Sequence, residues 1–377
     1  MTSVKDQIAE INQKPRSFIT VLAEPTTACN LGCEYCYKGR NKNKIFMSKE
    51  TTERMLSEVI YYNEGKKLPS SFVWHGGEPT IMGSAYYKGV YKYIKELECT
   101  EPINHTVQTN GTLLADELID PFVENGTSIS VSLDGPEYYH NKMRPYLDGK
   151  PTYNQIMENL SKAKQKGLQI GILMSISNEN LHWIKDMFQY CRENKFTFGL
   201  NPITDDLHAD HKSMVKPENY LAACLEAFDL WFYQKEYSIQ ANPGWGVTSL
   251  LLSKGDLSDC SMSENCQMHF ISIGPEGDVY PCNRFYGIEQ YKFGNINEAS
   301  LKDILVCNKR KYLLDRCSEK IEACKSCSIA KYCNGGCFHH AVVHNGSIYS
   351  QDHLCIVYRG LVDHAAKRLN NELKGGK

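Results

Sequence analysis

Short apolar runs alternating with longer helical patterns from residue 17 to about residue 200 predict an α/β fold: a partial, open (β/α)6 barrel followed by a smaller cysteine-rich C-terminal domain. Three observations carry this. The β-rich runs fall at 17–24, 71–74, 104–109, 127–133, 169–175 and 197–200, each bounded by turn or polar residues. Helical periodicity separates them, as at 48–63, where Met55, Leu56, Val59 and Ile60 make one apolar stripe. Finally, the cysteines cluster late, with arrays running from Cys260 to Cys355.

Six strand–helix units suit an open sheet better than a closed eight-unit barrel. A helix is predicted over 217–235, using Leu221, Leu225, Phe228, Leu230 and Trp231, and the domain boundary falls near Gln240. The expected organisation is a polar segment at 1–16, a barrel at 17–239 and a cysteine-rich domain at 240–377. The polar stretch 205–216 reads as a loop, either over the site or as a solvated connector.

The chain of 377 residues can bury a sizeable core without disulfide support, so its 16 cysteines point to binding or catalysis. A formal charge of -2 gives no support for a nucleic-acid or anionic-membrane partner. No stretch of roughly twenty apolar residues could span a bilayer. The first sixteen residues carry Lys5, Glu10, Lys14 and Arg16 without an apolar run, unlike a secretory signal, so a cytoplasmic location is expected. In a reducing compartment, clustered thiols read as metal or iron–sulfur ligands.

Parallel α/β sheets gather reacting groups at the carboxyl ends of their strands, and the motifs fall there. Cys29, Cys33 and Cys36, spaced C-x3-C-x2-C, follow the first strand. They supply three thiolates to a cubane of four irons, leaving one iron open for a small molecule. The same spacings suit a zinc knuckle, which stays open on the loop alone. Gly76-Gly77-Glu78-Pro79 follows the second strand, Asn110-Gly111 ends the third, and Ser132-Leu133-Asp134-Gly135 ends the fourth. The glycines admit close backbone approach, and Glu78 can accept from an ammonium.

Together these segments resemble the radical S-adenosylmethionine (SAM) family. The resemblance implies a [4Fe–4S] cluster on Cys29, Cys33 and Cys36, with Gly76, Gly77 and Glu78 holding the methionyl amine of SAM. It implies that Ser132 and Arg144 contact the SAM carboxylate and ribose, that Asn110 reaches the ribose, and that Tyr35 lies beside the adenine. The later cysteines resemble the SPASM extension, so the fold expected is a partial (β/α)6 radical SAM barrel with a SPASM domain. By that resemblance Cys260, Cys266, Cys282 and Cys337 hold one auxiliary cluster, and Cys324, Cys327, Cys333 and Cys355 a second, giving three [4Fe–4S] clusters. Cys99, Cys191, Cys224, Cys307 and Cys317 remain and read as small buried hydrophobes. His339, His340 and His344 read as surface or core residues able to tune neighbouring clusters through hydrogen bonds.

In length and motif order the chain is similar to anaerobic sulfatase-maturating enzymes, which oxidise cysteine or serine to formylglycine. Those enzymes carry an aspartate as base after the third auxiliary cysteine, where this chain has Asn283. An amide cannot take that proton. Tyr286, His269 or a loop residue are the candidate substitutes. The expectation is therefore a ribosomal-peptide maturase that forms thioether or carbon–carbon crosslinks. Its alternatives are formylglycine formation and a non-catalytic zinc scaffold. The expected partners are a peptide or protein substrate and an external electron donor such as flavodoxin or ferredoxin, with no nucleic acid and no membrane.

Overall fold

The computed structural model describes residues 19–38, 43–208, 214–234, 240–252, 260–262 and 265–375. The predicted polar segment 1–16 and the middle of 205–216 lie outside them.

Six parallel strands appear where the apolar runs predict them: β1 (Thr20–Ala23), β2 (Ser70–Trp74), β3 (Ile103–Thr109), β4 (Ser128–Ser132), β5 (Ile170–Ile176) and β6 (Thr197–Pro202). Helices α1 (Lys49–Glu64), α2 (Gly83–Glu96), α3 (Asp116–Glu124), α4 (Glu137–Met143), α5 (Tyr153–Gln165) and α6 (Ile184–Asn194) connect them. Ser48 caps α1 by accepting the Thr51 N–H, and the helix buries the predicted stripe of Met55, Leu56, Val59 and Ile60. Asn63, fully buried in the last turn of α1, exchanges hydrogen bonds with both backbone groups of Ile19 and so pins the entry to β1. The core lies between sheet and helices, where Val21, Phe72, Trp74, Val107, Val131, Ile172 and Met174 are buried.

Strand order is β6-β5-β4-β3-β2-β1-β7-β8-β9, an open sheet. Strands β7 (Phe270–Ile273), β8 (Asp278–Tyr280) and β9 (Gly294–Asn295) belong to the C-terminal region, yet β7 pairs in parallel with β1, Thr20 opposite Phe270. This C-terminal hairpin therefore extends the barrel's own sheet, with β8 turning back antiparallel to β7. Local periodicity cannot reveal a pairing between strands some 250 residues apart.

After β6 come α7 (Pro217–Tyr233) and α8 (Gly244–Leu252); α9 (Phe338–Asn345) and α10 (Cys355–Gly375) follow the hairpin. Helix α10 packs on α7, where Asp229 accepts from Arg368 Nη2 at 2.9 Å and pairs with His364 Nε2 at 2.8 Å. No helix among the described residues is long and apolar enough to cross a membrane.

Candidate active site

Two adjoining cavities of about 420 Å³ and about 160 Å³ open at the carboxyl ends of the strands, and both are lined by Cys29, Cys33 and Cys36. Their combined size is that of a cofactor pocket. Burial above all, with Glu78 beside Cys29 and neighbouring thiols beside both, pushes the Cys29 and Cys33 thiols up to about 12. Three converging, part-buried thiols are a donor set that fits an iron–sulfur cluster.

The glycine turn after β2 interlocks with this loop. The Gly77 and Glu78 N–H groups donate to the Thr26 and Ala28 carbonyls at 3.0 and 2.8 Å. A Cβ on Gly77 would lie 2.2 Å from the Ala28 carbonyl oxygen, so only glycine permits the approach. Glu78 is 1% exposed. Its Oε1 accepts from the Thr80 N–H, the Thr80 hydroxyl and the Thr109 hydroxyl, whereas Oε2 accepts only from the Asn110 N–H at 2.7 Å. Burial still pushes its carboxyl above the ordinary range. The carboxylate thus braces the ends of β2 and β3, and Glu78 is among the residues lining the smaller cavity.

Arg144 does reach the site, and Asp134 already engages its fork. Arg144 Nε donates to Asp134 Oδ2 at 2.7 Å, and Nη2 lies 3.4 Å from Oδ1 and donates to Ser175 Oγ at 3.1 Å. Asp134 also accepts from the Ser175 N–H at 3.0 Å and from the Tyr35 hydroxyl. The guanidinium stands 5.1 Å over the Tyr35 ring. Asp134 therefore joins the cysteine loop, the end of β4 and the end of β5. It sat within the quoted Ser132–Gly135 segment, but sequence offered no partner for it. Asn110 lines the smaller cavity, where its Nδ2 donates to Asn30 Oδ1 and its Oδ1 accepts from the Thr112 N–H. Ser132 lines the cavity and accepts from Gln108 Nε2 at 3.3 Å.

The rim holds groups that sequence reasoning missed. Lys38 Nζ pairs with fully buried Glu24 at 2.5 Å and lies 3.5 Å from the Asn283 carbonyl. Asn283 Nδ2 donates to the Tyr37 hydroxyl at 2.7 Å. Arg284 donates to Thr204 Oγ1 at 3.0 Å, and Lys38, His75 and Arg284 line the smaller cavity. Burial, with Lys38 nearby, lowers His75 to about 4, so it is neutral at neutral pH. Lys38 sits two residues past Cys36, which was its only sequence signal. Of the substitute bases, Tyr286 lines the larger cavity. His269 precedes β7 and its carbonyl accepts from the Thr20 N–H, at the opposite end of the strands from the thiols.

The later cysteines fall into two groups. Burial raises the thiols of Cys266, Cys282 and Cys337, and Cys337 lies close enough to raise the other two. Cys324, Cys333 and Cys355 are likewise raised by burial and then by one another, with Cys327 among them. Cys260 sits exposed on a short turn. Of the remaining five, Cys191 and Cys224 are buried hydrophobes. Cys99, Cys307 and Cys317 are only partly buried, which corrects the expectation; Cys307 caps a helical turn, its Sγ accepting from the Arg310 N–H.

An open, mainly parallel sheet with three part-buried thiols converging at its strand ends defines a cofactor-dependent α/β enzyme. Residues 23–191 match the Radical SAM superfamily, and residues 260–328 match SPASM, an iron-sulfur cluster-binding domain. The chain is a radical SAM enzyme with a SPASM domain, and its cofactors are iron–sulfur clusters and SAM. It is similar along its length to the cysteine-type anaerobic sulfatase-maturating enzyme of Clostridium perfringens strain 13, at 27% identity over 94% of this chain and 98% of the relative. The serine-type enzyme of Bacteroides thetaiotaomicron is 28% identical over 84% of this chain and 82% of its own. Among solved structures, native anSMEcpe with bound AdoMet superposes with a TM-score of 0.84 at 25% identity, over 95% of this chain and all of that one. Streptococcus suis SuiB bound to S-adenosylmethionine shares the fold, with a TM-score of 0.68 at 19% identity over 90% of this chain and 77% of its own.

Proposed function

We propose that this enzyme modifies a polypeptide, as a maturase that crosslinks a ribosomally made peptide through a thioether or carbon–carbon bond. Cys29, Cys33 and Cys36 hold the SAM-binding cluster; Cys260, Cys266, Cys282 and Cys337 hold one auxiliary cluster, and Cys324, Cys327, Cys333 and Cys355 another. When bound, the cluster and SAM supply reductive cleavage of SAM to a 5′-deoxyadenosyl radical able to take a hydrogen from a substrate carbon. Glu78 Oε2 receives an ammonium, and the paired Arg144 and Asp134 fix Tyr35 against the cavity. Lys44, Lys38 paired with Glu24, and Arg284 paired with Asp206 line the cavities where the polypeptide would lie.

The observation that carries the reaction type is Asn283. Its amide donates to Tyr37 beside the thiol cavities and has no carboxylate with which to take a proton from a substrate thiol or hydroxyl. A second reading, formylglycine formation, draws on the chain-long likeness to the Clostridium perfringens enzyme named for sulfatase maturation. Mass spectrometry of candidate peptides incubated with reconstituted enzyme, SAM and an electron donor separates the two. Loss of two hydrogens within a precursor peptide, with 5′-deoxyadenosine formed, is expected. Aldehyde formation at cysteine or serine of a sulfatase peptide overturns the maturase in favour of the second reading. Protein holding zinc in place of equal iron and sulfide overturns both.

A further inference from the structure

Three histidines, His340 and His344 on α9 and His353 just before α10, gather outside the lining of the thiol cavities. His340 Nδ1 lies 3.2 Å from Asp352 Oδ1, and His353 Nδ1 lies 3.6 Å from the same oxygen. These three ligand atoms all fall within 4.8 Å of one another. A tetrahedral ion with bonds of about 2.0–2.1 Å sets its ligand atoms ~3.3 Å apart, a value the two measured separations bracket.

Asp352 is 1% exposed and anchored from three sides. It accepts from the Cys337 N–H at 2.7 Å, the Leu354 N–H at 2.8 Å and the Tyr358 hydroxyl at 2.9 Å. Such outer hydrogen bonds hold a ligating carboxylate in orientation. Two of the imidazoles lack that support. Both ring nitrogens of His353, and Nε2 of His344, are buried with no hydrogen-bond partner among the described residues. An unpaired buried donor or acceptor is destabilising by about 1–3 kcal/mol, so this concentration of them needs a reason. His344 lies one turn beyond His340 on α9, its ring 3.7 Å from that of His353, and both His344 and His353 line a surface groove.

We propose that His340, His353 and Asp352 form a mononuclear site for a borderline divalent cation of the Zn²⁺ or Fe²⁺ kind, distinct from the cysteine groups. Two imidazoles and one carboxylate suit such ions, and the single negative charge leaves a bound dication net positive beside the thiol-rich centres. The ion would tie α9, which follows Cys337, to the start of α10 at Cys355.

The test loads Zn²⁺ onto cluster-replete enzyme, so that the cysteines are occupied, and measures zinc per chain together with zinc X-ray absorption. One Zn²⁺ with a nitrogen and oxygen shell near 2.0 Å and imidazole outer scattering is expected. His353→Ala should weaken zinc binding by at least about 100-fold while iron and sulfide content stay unchanged. His353 has no protein hydrogen bond to lose, which keeps that variant informative where His340→Ala disturbs Asp352. Zinc bound through sulfur near 2.3 Å, zinc retained equally by His353→Ala, or no retention by the unaltered enzyme overturns the proposal.

Discussion

Replacing Asp134 by alanine removes the acceptor on which the cysteine loop and two strand ends converge. Asp134 is fully buried, and the Arg144 side chain it holds is 10% exposed, so the variant leaves an uncompensated guanidinium inside the protein. Breaking a buried ion pair by removing one partner destabilises by about 3–5 kcal/mol. The Ser175 N–H and the Tyr35 hydroxyl lose the same acceptor, so the expected loss lies toward the upper part of that range. Replacing both partners, as in Asp134→Ala with Arg144→Met, removes the stranded charge and should recover at least ~2 kcal/mol relative to the single variant. Urea denaturation of the reconstituted enzyme, compared at constant slope, reads these differences. A single variant within ~1 kcal/mol of the parent, or a double variant no better than the single, would refute the view that this carboxylate holds the site together.

Gly77→Ala forces its Cβ against the Ala28 carbonyl and should displace the cysteine loop, destabilising by about 1–3 kcal/mol and lowering iron content, measured per chain after reconstitution. His105 is buried against Phe72 and Trp74, accepts from Trp74 Nε1 at 3.1 Å, and burial lowers it to about 4 from an ordinary 6.5. Between those values the unfolded chain binds the extra proton, so stability falls as pH drops from about 6.5 to 4, by up to ~3 kcal/mol. His105→Gln keeps an acceptor, and its stability profile across that window should lose this slope; an unchanged slope rules His105 out as its source. Asn283→Asp places a carboxylate beside Tyr37 and should raise aldehyde formation on a sulfatase peptide at least tenfold, read by mass spectrometry; no gain counts against position 283 as the determinant of reaction type.

The alternation of apolar runs and helical stripes was enough to locate six strands, because a parallel strand buried on both faces and an amphipathic helix each write their periodicity into adjacent residues. The cysteine loop and the Gly76–Glu78 turn were legible for a similar reason, since thiolate spacing and glycine at a close approach are local requirements. What the sequence alone determined is therefore the elements, the ligand-type residues and the class of chemistry. Only the tertiary structure decided that Asp134 engages Arg144 and Tyr35, that Glu78 braces the ends of β2 and β3, and that His269 lies at the opposite end of the strands from the thiols. The same holds for β7 beside β1 and for Lys38 paired with Glu24. Each of these depends on groups distant in sequence meeting in a buried, low-dielectric place. There the pairing, and not the residue type, fixes charge and hydrogen-bonding capacity.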